Sequence, residues 1–254
     1  MIYLTAFDGL FWLVVTLVVF VFLQRSLHRE IQAFFLIITR NPGTSQVLFA
    51  LLFFPGVFLH ETSHFLAAII LGVKTGRFSL IPQAQSNGKL RLGYVETASG
   101  GIVRDSIIGA APLITGCLCV AYAAINRIHL LPLWEVIHTA DLELFWKMMI
   151  SVPNSPDFWL WFYLAFTVSS TMMPSSSDRH AWLPLGIVVA GLLIIAIIAG
   201  MGSWMLANLA VPFNQFLRAL ALIFGISSVL HILLILPFLL FHLILSNLSG
   251  MDVG

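Results

Sequence analysis

The chain has 254 residues, of which 59% are hydrophobic and only 9% are charged. An ordinary soluble domain carries about 25% charged residues, so this composition excludes that class and predicts a polytopic membrane protein. The net charge is +1 and the Lys and Arg residues are scattered singly, which excludes the basic patch of a nucleic-acid-binding protein. The apolar runs are too long for outer-membrane strands, so the predicted fold is all-α with about six transmembrane helices.

The first predicted span covers residues 4–23, and it has neither the basic start nor the cleavage site of a signal peptide. Residues 26–40 begin polar and then become apolar, which predicts a separate interfacial or re-entrant helix. The sequence Asn41-Pro42-Gly43 ends that segment, because it is a strong helix breaker. The second predicted span, 46–71, is longer than a crossing requires, so we expect it to tilt or to break near Pro55.

The second span carries the motif His60-Glu61-Thr62-Ser63-His64. Residues four apart lie on one face of a helix, so His60 and His64 can bind one metal ion, and Glu61 lies beside them as a candidate base. The alternative is a pair of hydrogen-bonded core histidines. Ionisable residues in the middle of a membrane helix cost roughly 2.5–3.5 kcal/mol each, so three of them on one turn favour a bound metal.

The segment 74–101 follows the motif helix and has a different sequence pattern. Residues Lys89 to Glu96 alternate with a period of two, and Arg77 to Ile81 is a shorter partner across Ser86-Asn87-Gly88. This pattern predicts a β-hairpin at the membrane surface, and the alternative is an ordinary connecting loop.

The third predicted span begins with small residues, Gly109 to Pro112, and we expect it to pack closely against the motif helix. Residues 126–157, with His129 and His138, resemble an amphipathic segment lying in the interface. The third to sixth predicted spans are 106–125, 158–173, 181–209 and 217–248.

A catalytic zinc ion is usually held by three protein ligands, so the motif leaves one ligand to find. If the second span leaves the membrane at one face, the third span returns and the fourth comes back to that face. The segment 174–180 then lies near the end of the motif helix, and both Asp178 and His180 are within reach. His231 and His242 share a face of the last span, where a packing role is more usual than metal binding.

The chain resembles the site-2 protease family of intramembrane zinc metalloproteases. The resemblance rests on His60-Glu61-Thr62-Ser63-His64 in a span, the hairpin after it, the small residues of Gly109 to Pro112, and an aspartate after Pro174. It covers about half of the chain. Two positions depart from the family pattern, because Thr171 stands where the family has Asn and Arg179 stands where it has Gly.

The resemblance implies a Zn²⁺ ion held by His60, His64 and Asp178, with Glu61 as the catalytic base and His180 as an auxiliary residue. It implies hydrolysis of peptide bonds in the transmembrane segments of substrate proteins, by a multi-pass protein of the cell (inner) membrane. Its partners would be a transmembrane protein substrate and the lipid bilayer. Residues 1–254 form a single membrane domain, with a catalytic core at about 46–182 and peripheral helices at 1–45 and 183–254.

A membrane scaffold or binding protein that keeps the fold without proteolysis is the alternative function. Metal transport is a weaker alternative, because transport expects ionisable residues distributed through several spans, and the first, third and fifth predicted spans carry few of them.

Overall fold

The computed structural model of the chain describes residues 8–84, 90–130 and 141–249, together with Pro132 and Val136. The described helices are α1 (Asp8–Thr39), α2 (Pro42–Ile70), α3 (Ile102–Tyr122), α4 (Leu142–Ser151), α5 (Phe158–Thr171), α6 (Trp182–Ala196), α7 (Gly202–Asn208) and α8 (Ala210–Ser249). A π-helical turn, Ala123–Arg127, extends α3, and a second one, Ile197–Met201, joins α6 to α7. The prediction of an all-α polytopic membrane protein is confirmed.

Five of the described helical segments are long and apolar enough to cross a membrane, namely Asp8–Thr39, Pro42–Ile70, Ile102–Arg127, Trp182–Asn208 and Ala210–Asn247. The predicted fourth span is present as α5, but it is a helix of only 14 residues. At 1.5 Å per residue α5 is about 21 Å long, which is shorter than the roughly 30 Å hydrocarbon core of a bilayer. It contacts α2, α3 and α8, so it is a short central helix.

The N-terminal segment is a single helix, and the prediction of a separate interfacial helix at 26–40 is wrong. Helix α1 is continuous over 32 residues. Its two acidic residues have partners on α8, so they do not force the segment to the interface. The carboxylate of Glu30 lies 2.6 Å from Nδ1 of His242, and Asp8 lies 2.7 Å from the guanidinium of Arg218. Paired in this way, ionisable groups are tolerated within a membrane domain.

Helix α2 begins and ends at sequence signals of known geometry. The side chain of Asn41 accepts a hydrogen bond from the N–H of Thr44 at 3.1 Å, with Pro42 as the first helical residue. The predicted break near Pro55 is absent, because the helix continues through it. At its end Gly72 has a φ of 67°, and the N–H of Val73 donates to the carbonyl of Ala68 at 2.8 Å. This Schellman motif directs the chain into the first strand.

The predicted hairpin is confirmed, although its strands are interrupted. Strand β1 (Thr75–Ser79) pairs antiparallel with β4 (Tyr94–Thr97), and β2 (Gln83–Ala84) pairs antiparallel with β3 (Leu90–Arg91). The predicted turn at Ser86-Asn87-Gly88 lies outside the described residues. The strand predicted from 89 to 96 is interrupted at Leu92 and Gly93, where the chain passes over the motif helix.

The hydrophobic core around the motif helix joins three helices. Its buried members are Leu27 and Ile31 of α1, Phe49, Phe53 and Val57 of α2, and Phe166 of α5. By contrast, α6 has no buried residue and presents its apolar side chains outward. The indole N–H of Trp182 donates to the carbonyl of Ser106 at 3.3 Å, which attaches the start of α6 to α3.

We expect the spacing of α2 and α5 to depend on Gly56. A Cβ atom at this position would collide with the carbonyl oxygen of Thr167 and with the hydroxyl of Thr171. The substitution Gly56→Ala should therefore lower the free energy of unfolding by about 1–3 kcal/mol, measured by denaturant unfolding in detergent micelles.

The matched control is Gly186→Ala on α6, where an added Cβ meets no atom within 4 Å. This variant should be neutral or slightly stabilising, because alanine has the higher helix propensity. Equal stability of the two variants would show that the contact at Gly56 does not set the helix spacing.

Candidate metal centre

The two motif histidines face each other on α2, and each ring is held by a main-chain carbonyl of another helix. Nδ1 of His60 lies 2.7 Å from the carbonyl oxygen of Thr171, and Nδ1 of His64 lies 2.9 Å from that of Ile108. Because a carbonyl can only accept, both Nδ1 atoms carry the hydrogen and both Nε2 atoms carry a lone pair. The two Nε2 atoms are 3.2 Å apart. Two lone pairs at this distance repel each other unless a proton or a metal cation lies between them.

A proline in α3 and the end of α5 make these two carbonyls available. A helix carbonyl normally accepts from the N–H four residues later, and for Ile108 that residue is Pro112, which has no N–H. The carbonyl of Thr171 belongs to the last turn of α5, and Pro174 follows shortly after the helix ends. The local sequence of α3 and of α5 therefore leaves one acceptor each for the histidines.

Asp178 completes the cluster from the connection between α5 and α6. Its Oδ1 lies 3.4 Å from Nε2 of His64, and its Oδ2 lies 3.9 Å from Nε2 of His60. The N–H of Ser175 donates to Oδ2 at 2.7 Å and fixes the carboxylate.

Two of the three distances between the ligand groups fit a tetrahedral metal ion, and the third, 3.9 Å between His60 and Asp178, is longer. At Zn–N distances of 2.0–2.1 Å, two ligands of a tetrahedral zinc lie about 3.3–3.4 Å apart. The observed distances are 3.2 Å between the two imidazoles and 3.4 Å between His64 and the carboxylate. All three groups offer acceptor atoms within 4.8 Å of one another, so the cluster can hold a divalent cation.

The helix directions bring Asp178 to the histidines, as the count of crossings predicts. Contacts join the start of α2 to the start of α5 (Leu52 with Tyr163) and the middle of α2 to the end of α5 (His60 with Thr171), so the two helices run parallel. The loop after α5 therefore emerges on the side where α2 ends.

Gly109 of α3 lets that loop approach. A Cβ atom on Gly109 would clash with the carbonyl oxygen of Asp178. We expected the small residues of α3 to serve contact with α2, and this one instead serves the aspartate loop. Helix α3 does contact α2, through His64 and through the hydroxyl pair of Ser63 and Thr115 at 2.6 Å.

Glu61 is buried beside the histidine pair, with 8% of its surface exposed. The hairpin covers it, because a Cβ built on Gly93 would lie 2.9 Å from Cγ of Glu61 and 3.1 Å from the carbonyl oxygen of Ser79. Sequence reasoning missed this role of Gly93. The available signal was a glycine inside an alternating strand, which often marks a close backbone approach.

Two clefts meet at His60, Glu61 and Gly93. The first, here called the α1 cleft, has a volume of about 780 Å³ and is lined by α1 residues such as His28 and Gln32 together with the first half of α2. The second, here called the hairpin cleft, has a volume of about 890 Å³ and lies between residues 93–99, the start of α3 and the loop 175–180. His60 and Glu61 therefore border both clefts.

The remaining histidines that the structure describes lie apart from this cluster. His180 is exposed, with Nδ1 2.6 Å from the carbonyl of Ser177 and Nε2 3.8 Å from the carboxylate of Asp105, and it lines the hairpin cleft. His231 is buried. Its Nδ1 donates to the carbonyl of Ser227 at 2.7 Å, and its Nε2 accepts from the hydroxyl of Ser170 at 3.0 Å. His242 pairs with Glu30, and His129 is exposed beyond α3. His138 lies outside the described residues.

The structure shows the hydrogen bonds made at the two positions that depart from the site-2 protease pattern. Thr171 contributes its main-chain carbonyl to His60, which any residue could supply. Arg179 is exposed, as expected, and donates to the carbonyl of Ser175 at 3.2 Å. Arg179 does not have a positive φ, so its backbone conformation does not require the glycine of the family pattern.

No family model, no curated protein and no solved structure matches this chain. The interpretation of the centre therefore depends on its own geometry.

We expect Gly109→Ala to displace the loop that carries Asp178, because the new methyl group takes the place of the Asp178 carbonyl oxygen. Amide hydrogen exchange of residues 175–180 should become faster, whereas Gly186→Ala should leave it unchanged. Unchanged exchange in Gly109→Ala would mean that the loop is held by contacts other than this close approach.

Proposed function

We propose that this chain is an intramembrane zinc metalloprotease, similar to site-2 proteases, that hydrolyses peptide bonds in transmembrane segments of other proteins. The observation that carries the proposal is the convergence of three ligand atoms, from His60, His64 and Asp178, next to the carboxylate of Glu61 in an apolar helix. Two neutral imidazoles, a carboxylate and an adjacent glutamate are the groups that hydrolytic zinc sites use.

The residues divide the chemistry between them. Bound zinc would supply a Lewis acid and lower the pKa of a water molecule to about 7. Glu61 is one position from His60 and about 100° around the helix, so it serves as a base and not as a ligand. Its carboxylate accepts a proton from the attacking water and delivers it to the nitrogen of the leaving amine. The carbonyls of Thr171 and Ile108 keep the imidazoles oriented throughout.

The substrate must present an unwound segment, because the carbonyls of an intact helix are occupied by hydrogen bonds. Unpaired main-chain groups are costly in a bilayer, so an unwound segment needs partners from the enzyme. Strand β4 pairs with β1 on one edge, and its residues border the hairpin cleft. Addition of the substrate as a further strand along β4 would satisfy its main-chain groups.

The central test is the Glu61→Gln variant in proteoliposomes, with a panel of single-span reporter proteins that carry a helix-breaking residue. We expect the wild-type protein to contain zinc, measured by elemental analysis, and to cleave reporters. Glu61→Gln should keep the zinc and lose cleavage by at least a hundredfold, because the ligand set is intact and the base is gone. Loss of zinc in this variant would make Glu61 a ligand. Zinc binding by the wild type without cleavage of any reporter would favour the membrane scaffold.

A second test concerns the third ligand. We expect Asp178→Ala to lose zinc and all cleavage, because only two ligand atoms remain at the centre. His180→Ala is the matched control, since this exposed side chain lies on the same loop and outside the cluster, and it should keep its zinc. Zinc loss in His180→Ala with retention in Asp178→Ala would transfer the ligand role to the histidine.

A further inference from the structure

Glu61 lines both clefts, so a chain bound with its scissile bond there can extend into both of them. The hairpin cleft offers the edge of β4 to one half of such a chain. The other half would enter the α1 cleft, for which the proposed reaction assigns no function. We propose, on the basis of the proposed function, that the α1 cleft binds the apolar half of the unwound substrate and that His28 hydrogen-bonds its main chain.

The lining of the α1 cleft suits an extended apolar peptide. Its surface is more apolar than that of the hairpin cleft, with Leu36 and Phe49 among its residues, and the amides of Gln32 and Gln46 lie among them. An extended peptide presents apolar side chains together with unpaired N–H and C=O groups, and this mixture matches both parts of the lining. The hairpin cleft carries the carboxylates of Glu96, Asp105 and Asp178, which suit water and cations better than apolar side chains.

His28 lines this cleft and carries a buried polar atom. Its ring makes edge contacts with Phe49 and Phe53, whose centroids lie 5.4 Å and 4.8 Å away, so its orientation is fixed by packing. Its Nε2 atom is buried, and within the part of the chain that the structure describes it has no hydrogen-bond partner. A buried polar atom without a partner is unfavourable in the free protein, and a main-chain group of the substrate would remove that penalty.

Two variants separate hydrogen bonding from packing. His28→Phe keeps an aromatic ring against Phe49 and Phe53 and removes the polar atom, whereas His28→Gln keeps a hydrogen-bonding group. We expect His28→Phe to raise KM for a cleaved reporter about tenfold, because one hydrogen bond to the substrate is lost. The kcat and the zinc content should stay unchanged. His28→Gln should restore most of the affinity. The control His129→Asn, at an exposed histidine beyond α3 whose positive φ asparagine tolerates, should leave KM unchanged.

A binding measurement without turnover completes the test. In the Glu61→Gln background, a photo-crosslinking residue at Leu36, in the α1 cleft, should capture the reporter, and one at Leu183, exposed on α6, should not. Adding His28→Phe should reduce capture at Leu36. Unchanged KM in His28→Phe and absence of capture at Leu36, with reporters still cleaved by the wild type, would overturn this inference and leave the proposed function intact. Absence of cleavage by the wild type would overturn both.

Discussion

The orientation of two imidazole rings is the constraint on which the centre depends. His60 and His64 each donate from Nδ1 to a main-chain carbonyl, one on α5 and one on α3. These bonds select the tautomer that leaves both Nε2 atoms as acceptors. The motif helix supplies the ligands, but the two neighbouring helices decide which ring atoms face the centre. Any change in the spacing of α2, α3 and α5 therefore alters the ligand geometry, which explains why glycines stand at the close approaches.

The two acidic groups of α1 are paired with groups that can donate to them. Asp8 meets Arg218, and Glu30 meets His242, so α1 is attached to α8 at two points. The cluster of His60, His64 and Asp178 differs, because its converging atoms are all acceptors. Acceptors gathered in a low-dielectric setting need a proton or a metal cation between them. This contrast favours a metal centre over a pair of packing histidines more strongly than the motif spacing does.

Much of the architecture could be predicted from sequence, because hydropathy identifies membrane helices and the motif spacing places two histidines on one face. The position of Asp178 near the motif histidines followed from counting crossings. The continuity of α1 could not be predicted, because the residues that neutralise Glu30 and Asp8 are about 210 positions away. The carbonyl partners of the histidines were also missed, since main-chain acceptors have no side-chain signature. Pro112, which frees the carbonyl of Ile108, was the available local signal.

The interruption of the hairpin follows from its position over the motif helix. An unbroken strand from 89 to 96 would place a side chain at position 93 against Glu61, and only glycine leaves room for the carboxylate. The chain therefore loses regular pairing at Leu92 and Gly93 and resumes it in β4. The same interruption brings the hairpin main chain to the point where the two clefts meet.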